Sequence, residues 1–266
     1  MIHAASRRRR RRAGLAIGLV VTLAAVVLGV WRPWSSAPSA APVVAAGTTV
    51  TIDPSPLVLP EHPTVLVFGD SWTYGSAANV PTEGYAYVLA DLLDGTTIVN
   101  GVRGSGYLKP GLDGPAFGER IAALDPTLSP DLVILQGSIN DREQGEAGYR
   151  DAVNAAWDRM AATFPDAQIL ILGPAPHELP AAAGTVRIDH DLAQLAGARG
   201  WWYISPLAED WITEANYLDV IDVEVGRRHP STAGHRYLAE RLAADLADLA
   251  AAPVTEAGAS SETSEQ

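Results

Sequence analysis

The sequence contains no cysteine. This absence excludes disulfide bonds, cysteine-ligated zinc and a thiol nucleophile. No G-x-x-x-x-G-K-[ST] pattern is present either, so the glycine-rich stretches do not form a phosphate-binding loop of that kind. Acidic residues are missing before Asp53, although the whole chain carries a net charge of -12. The charge is therefore distributed very unevenly along the chain.

Basic residues are concentrated near the amino terminus, where Arg7 to Arg12 supply six of the 19 in the chain. Without these six, 13 basic residues face 31 acidic ones. The part of the chain after the arginine run is therefore strongly acidic and repels phosphate backbones, which argues against nucleic acid as a partner. With 266 residues and 47% hydrophobic content, the chain is long enough for one large α/β domain.

An apolar segment follows the arginine run and carries no charge from Ala13 to Val30. At a rise of about 1.5 Å per residue it is long enough to cross the hydrocarbon core, and the arginines favour a cytoplasmic amino terminus. We expect residues 1–12 to be a basic cytoplasmic end and residues 13–31 to be a transmembrane anchor or a cleaved signal peptide. Either alternative places the rest of the chain outside the cytoplasm, tethered to the cell membrane or secreted.

The rest of the chain divides by composition. Residues 32–60 are rich in proline, alanine and serine, which is typical of a linker. Residues 253–266 are mostly small or polar, and we expect a disordered tail there. The intervening residues 61–252 contain regularly spaced apolar segments and form the predicted folded domain.

Five short apolar segments in this domain have the length and composition of buried strands. They are TVLVF from Thr64, TTIVN from Thr96, DLVILQG from Asp131, AQILILGP from Ala167 and WWYIS from Trp201. Segments with helical spacing separate them, such as the one with Tyr149, Val153, Trp157 and Met160 on one face. This alternation predicts a three-layer α/β/α sandwich around a mostly parallel five-stranded sheet.

Ligands bind beyond the carboxyl ends of the strands in such sheets. Ser71 follows the first strand in GDSWTYG, where Asp70 or Ser71 could instead cap a helix. The second strand leads into NGVRGSGY, whose glycines either approach a ligand or form a plain loop. Asn140 follows the third strand, at a place where a turn or helix cap is the alternative role.

His229 lies in GRRHPSTAGH, just before a closing helix that Ser231 or Thr232 is expected to cap. A single histidine before a helix is more often structural than catalytic. A serine, a glycine, an asparagine and this histidine nevertheless follow one another at the predicted ligand-binding edge. Their order along the chain is what makes the combination informative.

In this order the four segments resemble the sequence blocks of the SGNH, or GDSL-type, hydrolases. GDSWTYG resembles the first block, with Ser71 at the nucleophile position. NGVRGSGY resembles the second, with Gly104 as the oxyanion glycine and Gly106 as the fallback. GSIND and HPSTAGH are similar to the third and fourth, with Asn140 and His229 in the matching places. The resemblance covers about residues 64 to 250 and implies the flavodoxin-like fold of that family.

The resemblance implies a serine esterase that needs no metal or other cofactor. Ser71 would attack an ester carbonyl carbon and His229 would take its proton, which gives an acyl-enzyme. The backbone N–H groups of Ser71 and Gly104 and the side chain of Asn140 would bind the oxyanion. Short acyl esters, acetyl esters above all, are the expected substrates, and a glycan is one expected carrier of the acyl group.

One position departs from the family pattern. The family usually has an aspartate three residues before the histidine, whereas this chain has Gly226. A backbone carbonyl of residues 225 to 227 is one replacement for the aspartate. A carboxylate of Asp222 or Glu224 that folds back onto His229 is another. The third alternative is no replacement at all, which implies a slow or inactive protein.

Substrate contacts are expected for Asp70, Trp72, Tyr107 and His177, which lie on or near the same segments. His235 is interpreted as structural, because it falls inside the closing helix. Two other functions stay open, namely an O-acyltransferase acting on a cell-surface glycan and a non-catalytic glycan-binding protein on the same scaffold. The missing aspartate is the only feature that favours the non-catalytic alternative.

Overall fold

The computed structural model describes residues 54–252. The predicted cytoplasmic end (1–12), the membrane or signal segment (13–31) and the disordered tail (253–266) lie outside this range, as does most of the 32–60 linker. Those four assignments therefore stay predictions. Within residues 54–252, no helix is both long enough and apolar enough to cross a membrane.

A sheet of five strands forms the centre of the domain, in the order β2-β1-β3-β4-β5. The strands are β1 (Thr64–Gly69), β2 (Thr96–Gly101), β3 (Leu132–Gln136), β4 (Gln168–Leu172) and β5 (Trp202–Ile204). Every neighbouring pair is parallel. The prediction of a mostly parallel five-stranded sheet is confirmed, and the sheet proves to be parallel throughout.

Helices and short helical turns connect the strands. They are α1 (Ser71–Tyr74), α2 (Tyr85–Leu92), α3 (Phe117–Ala122), α4 (Tyr149–Thr163), α5 (Ala183–Gly197), α6 (Tyr217–Val220) and α7 (Thr232–Ala251), with 3₁₀ turns at Pro81–Glu83, Pro126–Leu128 and Ile139–Glu143. An antiparallel hairpin, β6 (Ile221–Asp222) and β7 (His229–Pro230), precedes α7. The sequence analysis did not predict this hairpin, because strands of two residues are too short to show an alternating pattern.

Two apolar cores cover the two faces of the sheet. Val65 and Val67 of β1 belong to one core, whereas Leu66 and Phe68 belong to the other, because successive side chains of a strand point to opposite faces. Helices α2 and α7 complete the first core, and α3, α4 and α5 complete the second. The central strands are thus covered on both sides, which explains why their sequences are apolar throughout. This is the predicted three-layer sandwich.

Helix α7 closes the domain and fixes the position of the hairpin before it. It buries Leu238, Leu242 and Leu246, and Leu249 on the same face is half-buried. Ser231 is the N-cap, since its hydroxyl accepts the N–H of Gly234 at 3.0 Å. The hydroxyl of Thr232 instead accepts the N–H of Asn79 at 2.8 Å. The chain therefore turns from β7 into α7 at a defined residue, two positions after His229.

Candidate active site

The four residues expected to act together lie on loops at the carboxyl edge of the sheet. Ser71 and Gly104 follow β1 and β2, Asn140 follows β3, and His229 lies in the hairpin before α7. Side-chain hydrogen bonds join segments that are far apart in sequence: the imidazole of His229 meets Ser71, and the amide of Asn140 meets the loop after β2. The structure thus brings all four segments to one place.

Ser71 is the first residue of α1, directly after the turn that ends β1. The carboxylate of Asp70 caps this short helix by accepting the N–H of Trp72 at 2.9 Å. Because Asp70 is the cap, the Ser71 hydroxyl is available for another interaction. The serine is 5% exposed, so its hydroxyl is largely shielded from bulk water.

His229 bridges the serine and a backbone carbonyl. Its Nε2 lies 2.8 Å from Oγ of Ser71, and its Nδ1 lies 2.8 Å from the carbonyl oxygen of Gly226. A carbonyl oxygen can only accept, so Nδ1 carries the proton of the neutral ring and donates it to Gly226. Nε2 then presents its lone pair to the Ser71 hydroxyl. This is the tautomer that a general base needs to take a proton from serine.

Gly226 occupies the position where the family usually has an aspartate. Its carbonyl oxygen accepts the backbone N–H of His229 at 3.1 Å, in addition to the ring N–H. A side chain would not fit here, because a Cβ atom on Gly226 would lie 2.6 Å from Cβ of Ala77 and 2.7 Å from Cβ of Asp222. The arrangement corresponds to the backbone-carbonyl alternative for the missing aspartate.

The carboxylates of Asp222 and Glu224 do not fold back onto the imidazole. Oδ1 of Asp222 instead accepts the backbone N–H groups of Glu224 and Val225, each at 3.0 Å. Both ring nitrogens of His229 already have hydrogen-bond partners. Neither nitrogen is therefore free to bond to one of these carboxylates. The alternative in which one of these carboxylates replaces the missing aspartate at the imidazole is therefore not the arrangement in this structure.

Burial lowers the pKa of His229 below its usual range, and the hydrogen bond to the Gly226 carbonyl offsets this in part. A neutral ring is thus favoured near neutral pH, as general-base action requires. Of the two preceding arginines, Arg228 forms an ion pair with Glu178. Arg227 and Arg228 have left-handed φ angles of 51° and 65°, which shows how tightly the chain turns between Gly226 and His229.

Gly104 and Gly106 differ in what their N–H groups do. Gly104 has a φ of 74°, a conformation that favours glycine, and its N–H has no acceptor within residues 54–252. The N–H of Gly106 donates to the carbonyl of Lys109 at 2.8 Å. A Cβ atom on Gly106 would lie 2.5 Å from the carboxylate oxygens of Asp141. Gly106 is therefore a packing glycine, and Gly104 is the candidate oxyanion donor.

The side-chain amide of Asn140 lies between the loops that follow β1 and β2. Its Nδ2 donates to Oδ2 of Asp70 at 3.1 Å and to the carbonyl oxygen of Ser105 at 3.0 Å. Both N–H bonds of the amide have acceptors, so an oxyanion has to share or replace one of them. The same two bonds fix the orientation of the amide before any substrate arrives.

Arg120 of α3 holds these loops together, and the sequence analysis did not single it out. Its guanidinium donates to the carbonyl oxygens of Gly69 and Asn100, to the Asn100 side chain and to the hydroxyl of Ser105, at 2.6–2.8 Å. These bonds join the ends of β1 and β2 to the loop that contains Gly104. An arginine in a short helix gives no signal of such a role, because arginines are also common on exposed helix faces.

Asp141 is a second buried support that the sequence analysis missed. Its carboxylate accepts the backbone N–H groups of Tyr107, Leu108 and Lys109 at 2.7, 3.2 and 3.1 Å. The residue has no exposed surface, and burial raises the pKa of its carboxyl group while the three bonds act against that rise. The available signal was an acid directly after Asn140, beyond the end of a buried strand.

Three of the four residues expected to contact the substrate have side chains packed in the core, and their substrate contacts stay predictions. Asp70 has no exposed surface, and Trp72 and Tyr107 are each 5% exposed. The hydroxyl of Tyr107 accepts the indole N–H of Trp157 at 2.8 Å. His177, by contrast, follows β4 at the rim, and burial together with the positive charge of Arg142 lowers its pKa. A substrate contact of His177 stays a prediction.

A groove of 590 Å³ lies beside the hairpin that carries His229. Its lining combines apolar and charged residues: Glu178, Leu179, Glu214, Tyr217, Leu218, Val223 and Arg228. This volume falls in the range of small-molecule sites. Arg228 lines this groove and directly precedes His229, whereas His229 and Ser71 are not among the lining residues.

His235, the second histidine of the GRRHPSTAGH segment, is fully buried. Its Nδ1 accepts the N–H of Tyr85 at 3.2 Å, and its Nε2 donates to the carbonyl oxygen of Ser76 at 3.0 Å. These contacts tie α7 to α2 and to the loop after α1, which confirms the structural interpretation of His235. In the described part of the chain, no group of three or more histidines and carboxylates is arranged to hold a metal ion.

Comparison with known proteins identifies the family. The model of the GDSL-like lipase/acylhydrolase family matches residues 67–237, which is more than half of the chain. A GDSL lipase of Mycobacterium tuberculosis is 28% identical over 144 residues, which cover 52% of this chain and 59% of the relative. The matched part therefore spans less than two thirds of that lipase.

Solved structures with the same fold include several esterases. The Mycobacterium smegmatis aryl esterase has a TM-score of 0.54 and 18% identity, and the match covers 70% of this chain and 99% of that one. Est24, a carbohydrate acetylesterase from Sinorhizobium meliloti, gives 0.56 and 17% with the same coverage. A family two carbohydrate esterase from Clostridium thermocellum gives 0.55 and 17%, with 72% and 66% covered. The chain belongs to the GDSL-like lipase/acylhydrolase family, a family of carboxylic ester hydrolases.

Proposed function

We propose that this chain is a serine esterase that hydrolyses carboxylic esters through an acyl-enzyme on Ser71. The observation that carries the proposal is the pair of 2.8 Å contacts that His229 makes with Ser71 and with the Gly226 carbonyl. These contacts place the proton of the neutral imidazole on Nδ1 and leave the lone pair of Nε2 facing the serine hydroxyl. Membership of a family of ester hydrolases supports an ester as the substrate.

The reaction proceeds in two halves. In the first, Oγ of Ser71 attacks the ester carbonyl carbon while Nε2 of His229 takes the hydroxyl proton. The imidazolium then protonates the leaving alcohol as the carbon–oxygen bond breaks, which leaves an acyl group on Ser71. In the second half, water attacks the acyl carbon, His229 takes a proton from the water, and Ser71 leaves with that proton.

The negative charge of each tetrahedral intermediate needs hydrogen-bond donors. The backbone N–H groups of Ser71 and Gly104 are the proposed donors from the backbone, because the Gly104 N–H has no acceptor in the described chain. The amide of Asn140 is the third, and it turns one N–H from Ser105 or Asp70 towards the oxyanion. One such donor is typically worth about 3–4 kcal/mol in the transition state.

The Gly226 carbonyl does only part of what an aspartate does. It orients the imidazole and selects the tautomer, as an aspartate would. It carries no negative charge, so it stabilises the imidazolium less than a carboxylate does. His229 is therefore a weaker base in this site, although its neutral form is available at lower pH.

Short acyl esters, acetyl esters first, are the proposed substrates, with a glycan as one carrier of the acyl group. The carbohydrate acetylesterase and the carbohydrate esterase with the same fold support this choice. The location proposed is outside the cytoplasm, either on a single-pass anchor or after signal cleavage, and the arginine and apolar runs before residue 32 support it. The His229–Gly226 contact speaks against a non-catalytic protein, since an imidazole partner is present without the aspartate.

An O-acyltransferase would use the same acyl-enzyme, with a sugar hydroxyl in place of water. None of the contacts within residues 54–252 favours a sugar hydroxyl over water, so hydrolysis is the proposal. Adding a glycan to the enzyme and an acyl donor separates the two reactions. Release of free acid agrees with hydrolysis, whereas acylated glycan as the main product shows transfer.

Hydrolysis of p-nitrophenyl acetate by the full-length protein in detergent tests the proposal. We expect turnover that falls by about a thousandfold or more in Ser71→Ala and in His229→Ala, because each removes half of the nucleophile–base pair. The exposed serine Ser55 and the exposed histidine His62 provide matched controls, and Ser55→Ala and His62→Ala should keep wild-type rates. Absence of turnover in the wild type, or turnover that survives Ser71→Ala, contradicts the proposal.

A further inference from the structure

We infer that Asp222 is a positioning residue of this site: its carboxylate holds the loop of residues 223–228 in the conformation that brings the Gly226 carbonyl to His229. The inference rests on the proposed function and deepens it. The Asp222 carboxylate does not contact the imidazole, but it holds in place the carbonyl that accepts the ring N–H of His229.

The backbone of Asp222 closes the base of this loop. Asp222 pairs with His229 in the antiparallel hairpin of β6 and β7. Its carbonyl oxygen accepts the N–H of Arg228 at 2.8 Å. Two residues further back, the carbonyl oxygen of Val220 accepts the N–H of Ser231 at 2.9 Å. The two ends of the loop are thus fixed, whereas the ladder does not reach the residues between them.

The side chain of Asp222 binds the interior of the loop. Its Oδ1 accepts the backbone N–H groups of Glu224 and Val225, each at 3.0 Å. Hydrogen bonds from the backbone N–H groups of Gly226, Glu224 and Val225 lower the pKa of the Asp222 carboxyl group. The group is therefore ionised near neutral pH and accepts these bonds as an anion, which makes them stronger than bonds between neutral groups.

The conformation after Gly226 explains why the loop needs these bonds. Arg227 and Arg228 both have left-handed φ angles, which are unfavourable for residues with a side chain. Together they reverse the chain between Gly226 and His229, so that the carbonyl oxygen of the first lies 2.8 Å from Nδ1 of the second. Without the bonds to Asp222, the loop is free to relax, and the carbonyl moves away from the ring.

The same geometry predicts that an aspartate at position 226 does not improve the site. A Cβ atom there would lie 2.6 Å from Cβ of Ala77 and 2.7 Å from Cβ of Asp222. The loop would have to move, and its bonds to Asp222 would be lost before the new carboxylate could reach His229. Gly226 and Asp222 therefore depend on each other, because only a residue without a side chain at position 226 lets Asp222 pack this closely against the loop.

Steady-state kinetics of four full-length variants test the inference. Asp222→Ala removes the acceptor, and Asp222→Asn keeps an uncharged one. Glu224→Gln is the matched control, because it changes one charge in the same loop and leaves the Asp222 bonds in place. With p-nitrophenyl acetate we expect kcat to fall about 10- to 100-fold in Asp222→Ala, less in Asp222→Asn and not in Glu224→Gln, with KM within about twofold throughout. Gly226→Asp is expected to be slower than the wild type.

The pH profile separates positioning from a general loss of structure. The bond to the Gly226 carbonyl raises the pKa of His229, against the lowering effect of burial. When the carbonyl moves away, burial acts alone, so the acid limb of kcat should shift to lower pH in Asp222→Ala and Asp222→Asn. Partial unfolding would lower the fraction of active protein without moving this limb.

The outcomes are distinct. A lower kcat together with a shifted acid limb supports the inference, and Asp222→Asn decides the matter if Asp222→Ala does not fold. Wild-type kcat or an unmoved limb in the folded Asp222 variants overturns it, as does a Gly226→Asp variant that is faster than the wild type. A wild-type protein without turnover that depends on Ser71 instead rejects the proposed function itself.

Discussion

At the scale of single residues, the chemistry of this site depends on where His229 carries its proton. A carbonyl on one side and a hydroxyl on the other are enough to select the Nδ1–H tautomer, because the carbonyl cannot donate. An aspartate would also stabilise the imidazolium, which the Gly226 carbonyl does only weakly. Burial of the ring acts in the same direction, so that both features favour the neutral base.

The lowered pKa of His229 determines how activity should depend on pH. Because the pKa of His229 is lowered from 6.5, the neutral base persists into more acidic solution, and the midpoint of the acid limb of kcat/KM should lie below pH 6.5. Initial rates on p-nitrophenyl acetate between about pH 4 and about pH 8 measure this limb. A His177→Gln variant is the control, since His177 also has a lowered pKa but does not contact Ser71. An acid limb at or above pH 6.5, or one that His177→Gln removes, contradicts the assignment.

At the scale of elements, the hairpin β6–β7 and the start of α7 determine where His229 lies. Ser231 caps α7 through Gly234, and its hydroxyl also donates to the carbonyl oxygen of Asp219 at 3.2 Å. The cap thus connects the first turn of α7 to the end of α6. The position of the histidine depends on a helix end as much as on the sheet.

Removal of this cap should have a measurable effect on stability. Ser231→Ala leaves the N–H of Gly234 without its acceptor, and we expect the free energy of unfolding to fall by about 1 kcal/mol. For a domain of this size that corresponds to a drop of about 2–4 °C in Tm. Thermal denaturation measures the change, with Ser55→Ala as a control that removes an exposed serine hydroxyl. An unchanged Tm in Ser231→Ala shows that the cap is not stabilising.

The elements also show how far the sequence could predict this structure. Central strands covered on both faces have apolar sequences, so the five strands and the sandwich were predictable from the pattern alone. The hairpin β6–β7 was not, because its pairing depends on a turn whose arginines have left-handed φ angles. The roles of Arg120 and Asp222 were hidden for a related reason. Each contacts backbone atoms, and backbone contacts do not require any particular residue in the partner.

At the scale of the whole molecule, buried ionisable groups couple folding to pH. Burial lowers the pKa of His235 to about 4 and raises the pKa of Asp70 to about 7. Below pH 6.5 the unfolded chain binds a proton at His235, whereas the folded chain binds it only near pH 4. Acidification therefore destabilises the fold. Asp70 has the opposite effect, because its neutral form is favoured in the fold and stability is lost as the pH rises from 3.8 to about 7.

A His235→Gln variant separates the effect of His235 on pH-dependent stability from the opposite effect of Asp70. The stability that neutral His235 contributes is present above pH 6.5 and is lost as the pH falls to about 4. The substitution should therefore destabilise the protein more at neutral pH than in acid, with a difference of about 3 kcal/mol between the two ends of this range. Urea denaturation of both proteins at the two pH values gives this difference. Equal destabilisation at both values contradicts a buried, neutral His235.

The central claim is that Ser71 is a nucleophile activated by His229. Its most direct test is reaction of the full-length protein with a fluorophosphonate probe, followed by peptide mass spectrometry. The account predicts one probe adduct, on the peptide that contains Ser71, and strongly slowed labelling in His229→Ala. Absence of an adduct, or an adduct on another residue, would contradict it.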